Sequence, residues 1–115
     1  AYREGGAQII RRLVTAVDRP TAIYITDPIT AVGAMYEAQK MGLSIPEDLS
    51  IIGFDDTSLR HTVLPTMTSV CQDARSLGRE AYRLLSQMIK DRYSAESKPP
   101  TAWLEVHEST GPVPS

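Results

Sequence analysis

The sequence predicts an α/β fold, in which a partial Rossmann-like parallel sheet is flanked by helices. Two short apolar runs, 22–25 and 49–54, have the length and composition of buried strands. The segment between them starts at Asp27-Pro28 and stops at Gly42, as a capped helix does. A strand, a helix and a second strand in this order indicate a right-handed βαβ unit with parallel strands.

Two further helices lie before and after this unit. Residues 5–17 are predicted to form the first, which ends before Pro20 because the residue preceding a proline avoids the α region. Residues 74–92 are predicted to form the last, with Asp73 as its N-cap and a polar linker at 94–100. Each has one apolar stripe at helical spacing. The stripes consist of Ile9, Ile10, Leu13, Val14 and Val17 in the first helix, and of Leu77, Ala81, Leu84, Leu85, Met88 and Ile89 in the last.

Two weaker β-prone runs complete the predicted sheet. Residues 67–71 and 101–106 are short and contain strand-forming side chains, and residues 108–115 are expected to form a frayed tail. The strands lack the alternation of a half-solvated strand, so we expect neighbours on both edges and layers on both faces. Three helices can cover a small sheet, but the apolar stripe of the last helix is expected to be part of a larger contact, with partners that this sequence does not contain. Because the sequence also lacks an initiator methionine at Ala1, we expect a fragment of a longer protein.

Composition limits what the chain can do by itself. It has 115 residues, a formal net charge of −2 and no dense cluster of Lys and Arg, which argues against nucleic-acid binding by this segment alone. A single cysteine, Cys71, excludes an internal disulfide and fits a reducing compartment. No stretch has the length of a membrane span, and the N-terminus is not a signal peptide. A cytoplasmic location without membrane contact is therefore expected.

The middle helix has two apolar faces. Val32 and Tyr36, four residues apart, form a patch on its flank. Two interpretations of this patch are open: an ordinary half-exposed aromatic residue, or a subunit contact that includes both side chains. The opposite face is expected to pack closely on the sheet because its residues are mostly small, namely Ala31, Ala34 or Met35, Ala38 and Met41.

The strongest polar feature is Asp55-Asp56, directly after the second predicted strand. In open α/β sheets the carboxyl ends of the strands form the ligand-binding edge, so one of these carboxylates is a candidate acceptor for a sugar hydroxyl or a ring N–H. A turn in which both carboxylates cap local N–H groups is an equally good interpretation. Asp27 is interpreted as a helix cap alone.

No catalytic constellation is present in the sequence. His61 and His107 are far apart along the chain and have no ligand spacing with another His or Cys. The acidic pair lacks a third carboxylate in register for Mg²⁺, and no phosphate-binding glycine motif occurs. We therefore expect no enzymatic activity, no metal site and no cofactor.

One long run resembles a known protein family. Residues 42–56, Gly-Leu-Ser-Ile-Pro-Glu-Asp-Leu-Ser-Ile-Ile-Gly-Phe-Asp-Asp, are similar to the effector-binding domain of the lac-repressor/galactose-repressor family of transcriptional regulators. The similarity continues through 21–27, 64–70 and 106–110, and so spans nearly the whole chain in order. It implies the C-terminal lobe of a domain of the periplasmic-binding-protein type.

The resemblance also implies how the chain is divided. Family members have an N-terminal helix-turn-helix and then a two-lobed domain with a small molecule in the cleft. Residues 1–72 would belong to the C-terminal lobe. The helix within 73–100 would pack on an N-terminal lobe that is missing here, and 101–115 would form the return strand and tail.

Site residues are implied position by position. Asp55 resembles the cleft aspartate that hydrogen-bonds the effector, and Thr26 lies where many members have an asparagine. Pro28 matches a cleft-lining position, and Ala74 and Leu77 match apolar cleft positions. The residues that match the dimer contact of the family's C-terminal lobe are Val32, Tyr36, Leu59, Thr62 and Val63.

The implied function is the effector-binding and dimerisation part of a bacterial transcriptional regulator that senses a small molecule, a sugar or a sugar-like compound. Such a protein would be a homodimer and would contact DNA only through a helix-turn-helix that lies outside these residues. A solute-binding protein for sugar transport shares the fold and is the alternative. A part of a nucleotide-using enzyme is disfavoured, because no phosphate loop is present.

Overall fold

The structure, a computed structural model, describes residues 2–54, 59–91 and 96–114. Four strands lie within these ranges: β1 (Ala22–Tyr24), β2 (Ser50–Phe54), β3 (Thr68–Cys71) and β4 (Trp103–Glu105). They form one sheet in the order β1-β2-β3-β4, in which the first three strands are parallel and β4 runs antiparallel to β3. The predicted α/β fold and its parallel βαβ unit are confirmed.

Three α-helices and one short 3-10 turn accompany the sheet. They are α1 (Tyr2–Val14), α2 (Pro28–Lys40), the turn at Leu59–His61 and α3 (Ala74–Asp91). None of the described helices has the length and apolar character needed to span a membrane.

The boundaries of α2 follow its terminal residues. Asp27 is the N-cap, and its carboxylate accepts the backbone N–H of Thr30 at 2.7 Å, while Pro28 occupies the first turn. Gly42 has a φ of +87°, the left-handed conformation that glycine adopts most readily after a helix. Met41 forms the C-cap and is exposed, so its predicted place on the buried face is wrong.

The end of α1 differs from the prediction of a helix at 5–17. The helix stops at Val14, because the Thr15 hydroxyl donates to the carbonyl oxygen of Arg11 at 2.9 Å and competes with the backbone there. Val17 therefore lies beyond the helix and is fully exposed, not part of a buried stripe.

Two glycines bring α1 and α2 into backbone contact. A Cβ atom on Gly6 would overlap the carbonyl oxygen of Thr30, and a Cβ on Gly33 would overlap the backbone of Arg3. The two helices cover one face of the sheet and share its core. The largest fully buried core side chains are Ile10, Met35, Ile51 and Met67, which pack with Ala31, Ala34 and Ala38.

The other face of the sheet has no helix over it in the described part of the chain. Because side chains alternate between the two faces of a strand, Tyr24 and Leu104 project on the side opposite the core. Both are at least half exposed, as is Val106 beyond β4. The expectation of layers on both faces is therefore met on one face only.

α3 projects from the body. It begins at its predicted cap, since the Asp73 carboxylate accepts the backbone N–H of Ser76 at 3.1 Å and its hydroxyl at 2.6 Å. These bonds lower the pKa of Asp73. No side chain of α3 is buried, and the chain is 58 Å long but only 26 Å wide.

The predicted frayed tail is wrong at its centre. Ser109 is completely buried, because its hydroxyl donates to the carbonyl oxygen of Ile51 at 2.5 Å and accepts the N–H of Thr68 at 2.8 Å. Gly111 N–H also donates to the Ser50 hydroxyl at 3.1 Å. These bonds hold the segment after β4 against the starting ends of β2 and β3.

Candidate functional site

The carboxyl ends of β1, β2 and β3 lie along one edge of the sheet. Thr26 follows β1, Asp55 follows β2, and Ala74 follows β3 after two residues. With β2 between them, β1 and β3 are roughly 10 Å apart, twice the usual spacing of neighbouring strands. The edge is therefore wide enough for a molecule the size of a monosaccharide.

A small cavity lies at the end of β1. Its volume is about 470 Å³, and its lining includes Thr26 and Asp27. Thr26 is exposed and Asp27 half-buried, so both can reach a ligand at this edge. The remaining lining residues are Ile9, Leu13, Ile23, Tyr24, Ile25 and Thr30.

Asp27 has one oxygen that its capping role does not use. The backbone N–H and the hydroxyl of Thr30 both bond to Oδ2, each at 2.7 Å. In the described part of the chain no hydrogen bond reaches Oδ1. The predicted cap is therefore confirmed, but Asp27 also presents a carboxylate oxygen at the edge of the sheet, which the sequence interpretation of a cap alone missed.

The structure does not bring all of the other predicted effector residues together. Pro28 is half-buried in the first turn of α2 and lies next to Thr26 and Asp27 along the chain. Ala74 and Leu77 lie two strands away, in the first turn of α3, where both are exposed. Asp55, the strongest candidate from sequence, lies outside the described residues.

Residues predicted for a dimer contact surround a second cavity. Tyr36, Thr62 and Val63 line a space of about 190 Å³. Val63 lines this cavity and is buried at 6% exposure, whereas Val32 is buried at 7% exposure in the core and does not line it. Leu59 is half-buried in the 3-10 turn.

Gln39 and Leu64 also belong to this surface, and the sequence interpretation missed both. Leu64 is 80% exposed, while Tyr36 is 59% exposed. The Gln39 amide donates to the Leu64 carbonyl oxygen at 2.5 Å, which fixes the loop beside α2. The feature of the sequence that could have identified Leu64 is an apolar residue directly before a proline, in a loop without apolar periodicity. We name Tyr36, Gln39, Thr62 and Leu64 the α2 patch.

A polar cluster that the sequence did not predict lies around Glu105. Its Oε2 atom accepts the Cys71 thiol at 3.2 Å and an Arg60 guanidinium N–H at 3.0 Å. The thiol hydrogen bond and the positive charge of Arg60 lower the pKa of Glu105. His107 Nε2 lies 3.8 Å from the other carboxylate oxygen.

The two histidines are neighbours despite their distance in sequence. The rings of His61 and His107 meet edge to face, with their centroids 5.7 Å apart. Among the described residues, no group of three His, Cys, Asp or Glu side chains has the arrangement of a metal site.

A third polar network joins α3 to the chain that follows it. Glu80 accepts two N–H groups of Arg83 and the backbone N–H of Lys98, the latter at 3.0 Å. The Arg83 hydrogen bonds, followed by that of Lys98, lower the pKa of Glu80 to about 2. Glu80 is therefore charged at neutral pH.

The class of protein follows from the fold and from the match to known sequences. Residues 1–110 match the family described as periplasmic binding protein-like domain. The chain is 42% identical over 88 residues to the ribose operon repressor of Haemophilus influenzae, covering 76% of this chain and 26% of that protein. It is 39% identical over 86 residues to catabolite control protein A of Priestia megaterium, covering 75% and 26%.

Solved structures agree with these sequence matches. A LacI family transcriptional regulator from Bifidobacterium animalis superposes with a TM-score of 0.89 at 30% identity, covering 96% of this chain and 41% of that one. A LacI family regulator from Enterococcus faecium with bound ribose gives 0.79 at 28% identity, covering 96% and 40%. A complex of the regulator CelR with cellobiose gives 0.81 at 27% identity, covering 93% and 33%.

The chain thus belongs to the periplasmic binding protein-like domain family, as that domain occurs in LacI-type transcriptional regulators. It spans about a quarter of the length of the curated relatives that it matches.

Proposed function

We propose that this chain is the C-terminal part of the effector-binding domain of a DNA-binding regulator, and that its effector is a sugar. The observation that carries the proposal is the edge formed by Thr26 and Asp27. It lies at the carboxyl end of a parallel sheet, in a chain that superposes over 96% of its length on a regulator with bound ribose. Carboxylate and hydroxyl groups at such an edge suit the hydroxyl groups of a sugar.

Each candidate residue has a chemical role in this proposal. Asp55 accepts a hydrogen bond from a sugar hydroxyl, and Oδ1 of Asp27 accepts a second one. Thr26 can donate and accept through one hydroxyl group. Pro28, Ala74 and Leu77 would contact the apolar C–H face of the sugar ring.

The proposed crevice needs a second wall. The sheet face bearing Tyr24 and Leu104 has no helix over it, and the apolar stripe of α3 is exposed. Both features suit a chain in which residues 1–72 form one lobe and α3, within 73–100, packs on another. Residues 101–115 then return to the first lobe, where Ser109 is anchored.

The α2 patch is the proposed homodimer contact. Tyr36 and Leu64 are exposed apolar side chains around a cavity that buried Val63 also lines, and Val32 lies one helical turn before Tyr36. A two-fold symmetric dimer uses the same surface of both subunits, so in such a dimer the patch would contact its own copy. Leu59 would extend the contact into the 3-10 turn.

Sugar binding would act on DNA through the arrangement of the lobes. A ligand shifts such an equilibrium only by its difference in affinity for the two arrangements. Contact with DNA is assigned to a helix-turn-helix elsewhere in the whole protein, which would work in the cytoplasm as a binding protein and not as an enzyme. The curated relatives are named as repressors, which favours this proposal over a transport protein.

Calorimetric titration of the full-length gene product with ribose, cellobiose and a panel of other pentoses, hexoses and disaccharides tests the proposal. We expect at least one sugar to bind with saturation and to change the affinity for operator DNA. Saturable binding without any effect on DNA affinity would favour the transport alternative. Absence of binding across the panel would contradict the proposed sugar effector.

A further inference from the structure

The edge of the sheet that carries the candidate sugar site extends well beyond Thr26 and Asp27. β4 runs antiparallel to β3, so its first residue, Trp103, pairs with Cys71 at the last position of β3. Trp103 therefore stands at the same edge as the carboxyl ends of the parallel strands. It is the only tryptophan in the sequence, and it is 46% exposed. A partly open aromatic ring thus lies at the end of this edge that is farthest from β1.

Glu105 holds this ring in place. The two residues alternate with Leu104 in β4, so both side chains lie on the same face of the sheet. The Cys71 thiol, the charge of Arg60 and a hydrogen bond from the Trp103 side chain lower the pKa of Glu105. Because the indole N–H is the only hydrogen-bonding group of tryptophan, it is the donor.

The carboxylate that binds the indole is itself fixed. Its Oε2 atom accepts the Cys71 thiol at 3.2 Å and lies 3.0 Å from the Arg60 guanidinium. The Cys71 side chain is buried, and that of Arg60 is only 16% exposed. The orientation of the Trp103 ring is therefore set by groups that belong to the body of the chain.

A fixed ring of this kind is suited to stacking on a ligand. Aromatic side chains have a large apolar face, and an anchored side chain loses little conformational freedom when a ligand binds. Ala74 and Leu77, which follow Cys71 in the chain, are exposed in the first turn of α3. Together with Trp103 they give the β3–β4 end of the edge an apolar surface.

The distance along the edge determines the size of the ligand. β2 and β3 lie between β1 and β4, and neighbouring strands are about 4.8 Å apart. Trp103 is therefore roughly 14 Å from Thr26 along the edge. A single sugar ring held by Thr26 and Asp27 is much shorter than this distance. The second ring of a disaccharide, together with the width of the indole, covers it.

We propose that Trp103 is a stacking platform for the second ring of a disaccharide whose first ring is bound at Thr26 and Asp27. Trp103 is then a specificity-determining residue, which adds affinity for two-ring sugars and none for monosaccharides. Glu105 is a positioning residue, because it acts on the ligand only through the ring. The inference rests on the proposed function, since it names the class of sugar that the same site selects.

Calorimetric titration of the full-length protein with matched sugars tests this assignment. Each disaccharide is compared with a monosaccharide that it contains: cellobiose, maltose and trehalose with glucose, and lactose with galactose. The unmodified protein is compared with Trp103→Phe, which keeps an aromatic ring, and with Trp103→Val, which does not. Valine preserves the strand propensity of β4, so its effect is that of the lost ring. The affinity of each variant for the monosaccharide reports whether the rest of the site is intact.

We expect at least one disaccharide to bind the unmodified protein roughly tenfold or more tightly than its monosaccharide, the effect of one stacked aromatic ring. Trp103→Val should remove most of this ratio without changing the affinity for the monosaccharide, whereas Trp103→Phe should keep most of it. The disaccharide should also change the tryptophan fluorescence of the unmodified protein. This change should be absent in Trp103→Phe.

The same titrations test the positioning role of Glu105. Glu105→Gln keeps an oxygen that accepts the indole N–H, so it should keep the ratio. Glu105→Leu has no acceptor and should lower the ratio, with the affinity for the monosaccharide again unchanged. An undiminished ratio in Glu105→Leu would overturn the positioning role.

Two negative results have different meanings. If monosaccharides bind as tightly as their disaccharides, or if Trp103→Val keeps the full ratio, the assignment of Trp103 is overturned while the sugar site stands. If no sugar of either size binds, the proposed sugar effector itself is contradicted, and the assignment of Trp103 is overturned with it.

Discussion

Ser109 joins the end of the chain to Thr68 at the start of β3, through a hydroxyl oxygen 2.8 Å from the backbone nitrogen. The same hydroxyl donates to Ile51 in β2, so a single buried side chain connects two neighbouring strands to the tail. Removing it leaves a buried N–H and a buried carbonyl oxygen without their partner. Such groups cost about 1–3 kcal/mol each.

We therefore expect Ser109→Ala to lower the free energy of unfolding by about 2–4 kcal/mol in urea denaturation. Ser97→Ala is the matched control, because Ser97 lies exposed in the linker and should change stability by less than about 0.5 kcal/mol. Equal unfolding midpoints for the two variants would show that the tail is not anchored by this hydroxyl.

The two roles assigned to Asp27 can be separated by two substitutions. Asp27→Ala removes the cap of α2 and should cost about 1 kcal/mol of stability, whereas Asp27→Asn keeps a capping oxygen and should cost little. If Oδ1 also binds a sugar, Asp27→Asn in the full-length protein should weaken binding despite its normal stability. An unchanged affinity in Asp27→Asn would restrict Asp27 to capping.

A charge in the α2 patch should oppose the proposed dimer. Tyr36→Glu places a carboxylate beside the cavity that Thr62 and Leu64 line, so burial in a subunit contact would require its desolvation. We expect analytical ultracentrifugation to show a shift toward monomer. Val17→Glu makes the same change at a fully exposed position after α1 and should leave that equilibrium unaltered. A dimer unaffected by Tyr36→Glu would mean that the contact lies elsewhere.

The contacts between α3 and residues 96–98 should weaken in acid, because they depend on the charge of Glu80. Arg83 and the backbone N–H of Lys98 lower its pKa from 4.5 to about 2. A carboxyl group with a depressed pKa contributes stability that is present above its unfolded-state value and is lost as the pH falls toward its folded-state value. The Glu80 contacts should therefore weaken between pH 4.5 and about 2.

Hydrogen exchange of the backbone amides in residues 96–98 measures this loss. In the unmodified chain the protection of the Lys98 amide should fall across that pH window, after correction for the intrinsic exchange rate. Glu80→Gln should have low protection throughout and a flatter profile, whereas Glu47→Gln, at an exposed position before β2, should resemble the unmodified chain. Parallel profiles for all three proteins would contradict the assignment to Glu80.

Local signals in the sequence predicted the helices of this fold well. The caps at Asp27 and Asp73 and the stop at Gly42 were predictable, because each depends on the chemistry of a few adjacent residues. The end of α1 was not predictable. The Thr15 hydroxyl competes with backbone N–H groups for the carbonyl oxygen of Arg11, and this competition does not alter the apolar periodicity of the sequence.

Long-range polar contacts account for most of what the sequence did not predict. In the sequence, nothing distinguishes Ser109 from the other polar residues of the tail. Its bonds to β2 and β3 are visible only in the structure. Two partners of Glu105, Cys71 and Arg60, come from distant segments that only the fold brings to it. At the edge of the sheet, the position of Thr26 and Asp27 was predictable from the topology, but not that both bonds from Thr30 go to one oxygen of Asp27, Oδ2.

The exposed apolar surfaces test the proposed second lobe. If α3 and the uncovered sheet face pack on another lobe in the whole protein, the isolated chain should bind a hydrophobic dye or self-associate through them. Replacing Leu85 and Ile89 on α3 by glutamine should reduce both effects. A monomeric chain that leaves dye fluorescence unchanged would contradict the second lobe.

The central claim is that a sugar binds at the carboxyl ends of the strands through Asp55. Calorimetric titration of full-length Asp55→Ala, with whichever sugar of the panel binds the unmodified protein, tests it most directly. We predict an affinity weaker by about 1–3 kcal/mol, the cost of losing one buried hydrogen-bond partner. Asp18→Ala, at an exposed turn before β1, should bind normally. An unchanged affinity in Asp55→Ala would contradict the assignment of this edge as the effector site.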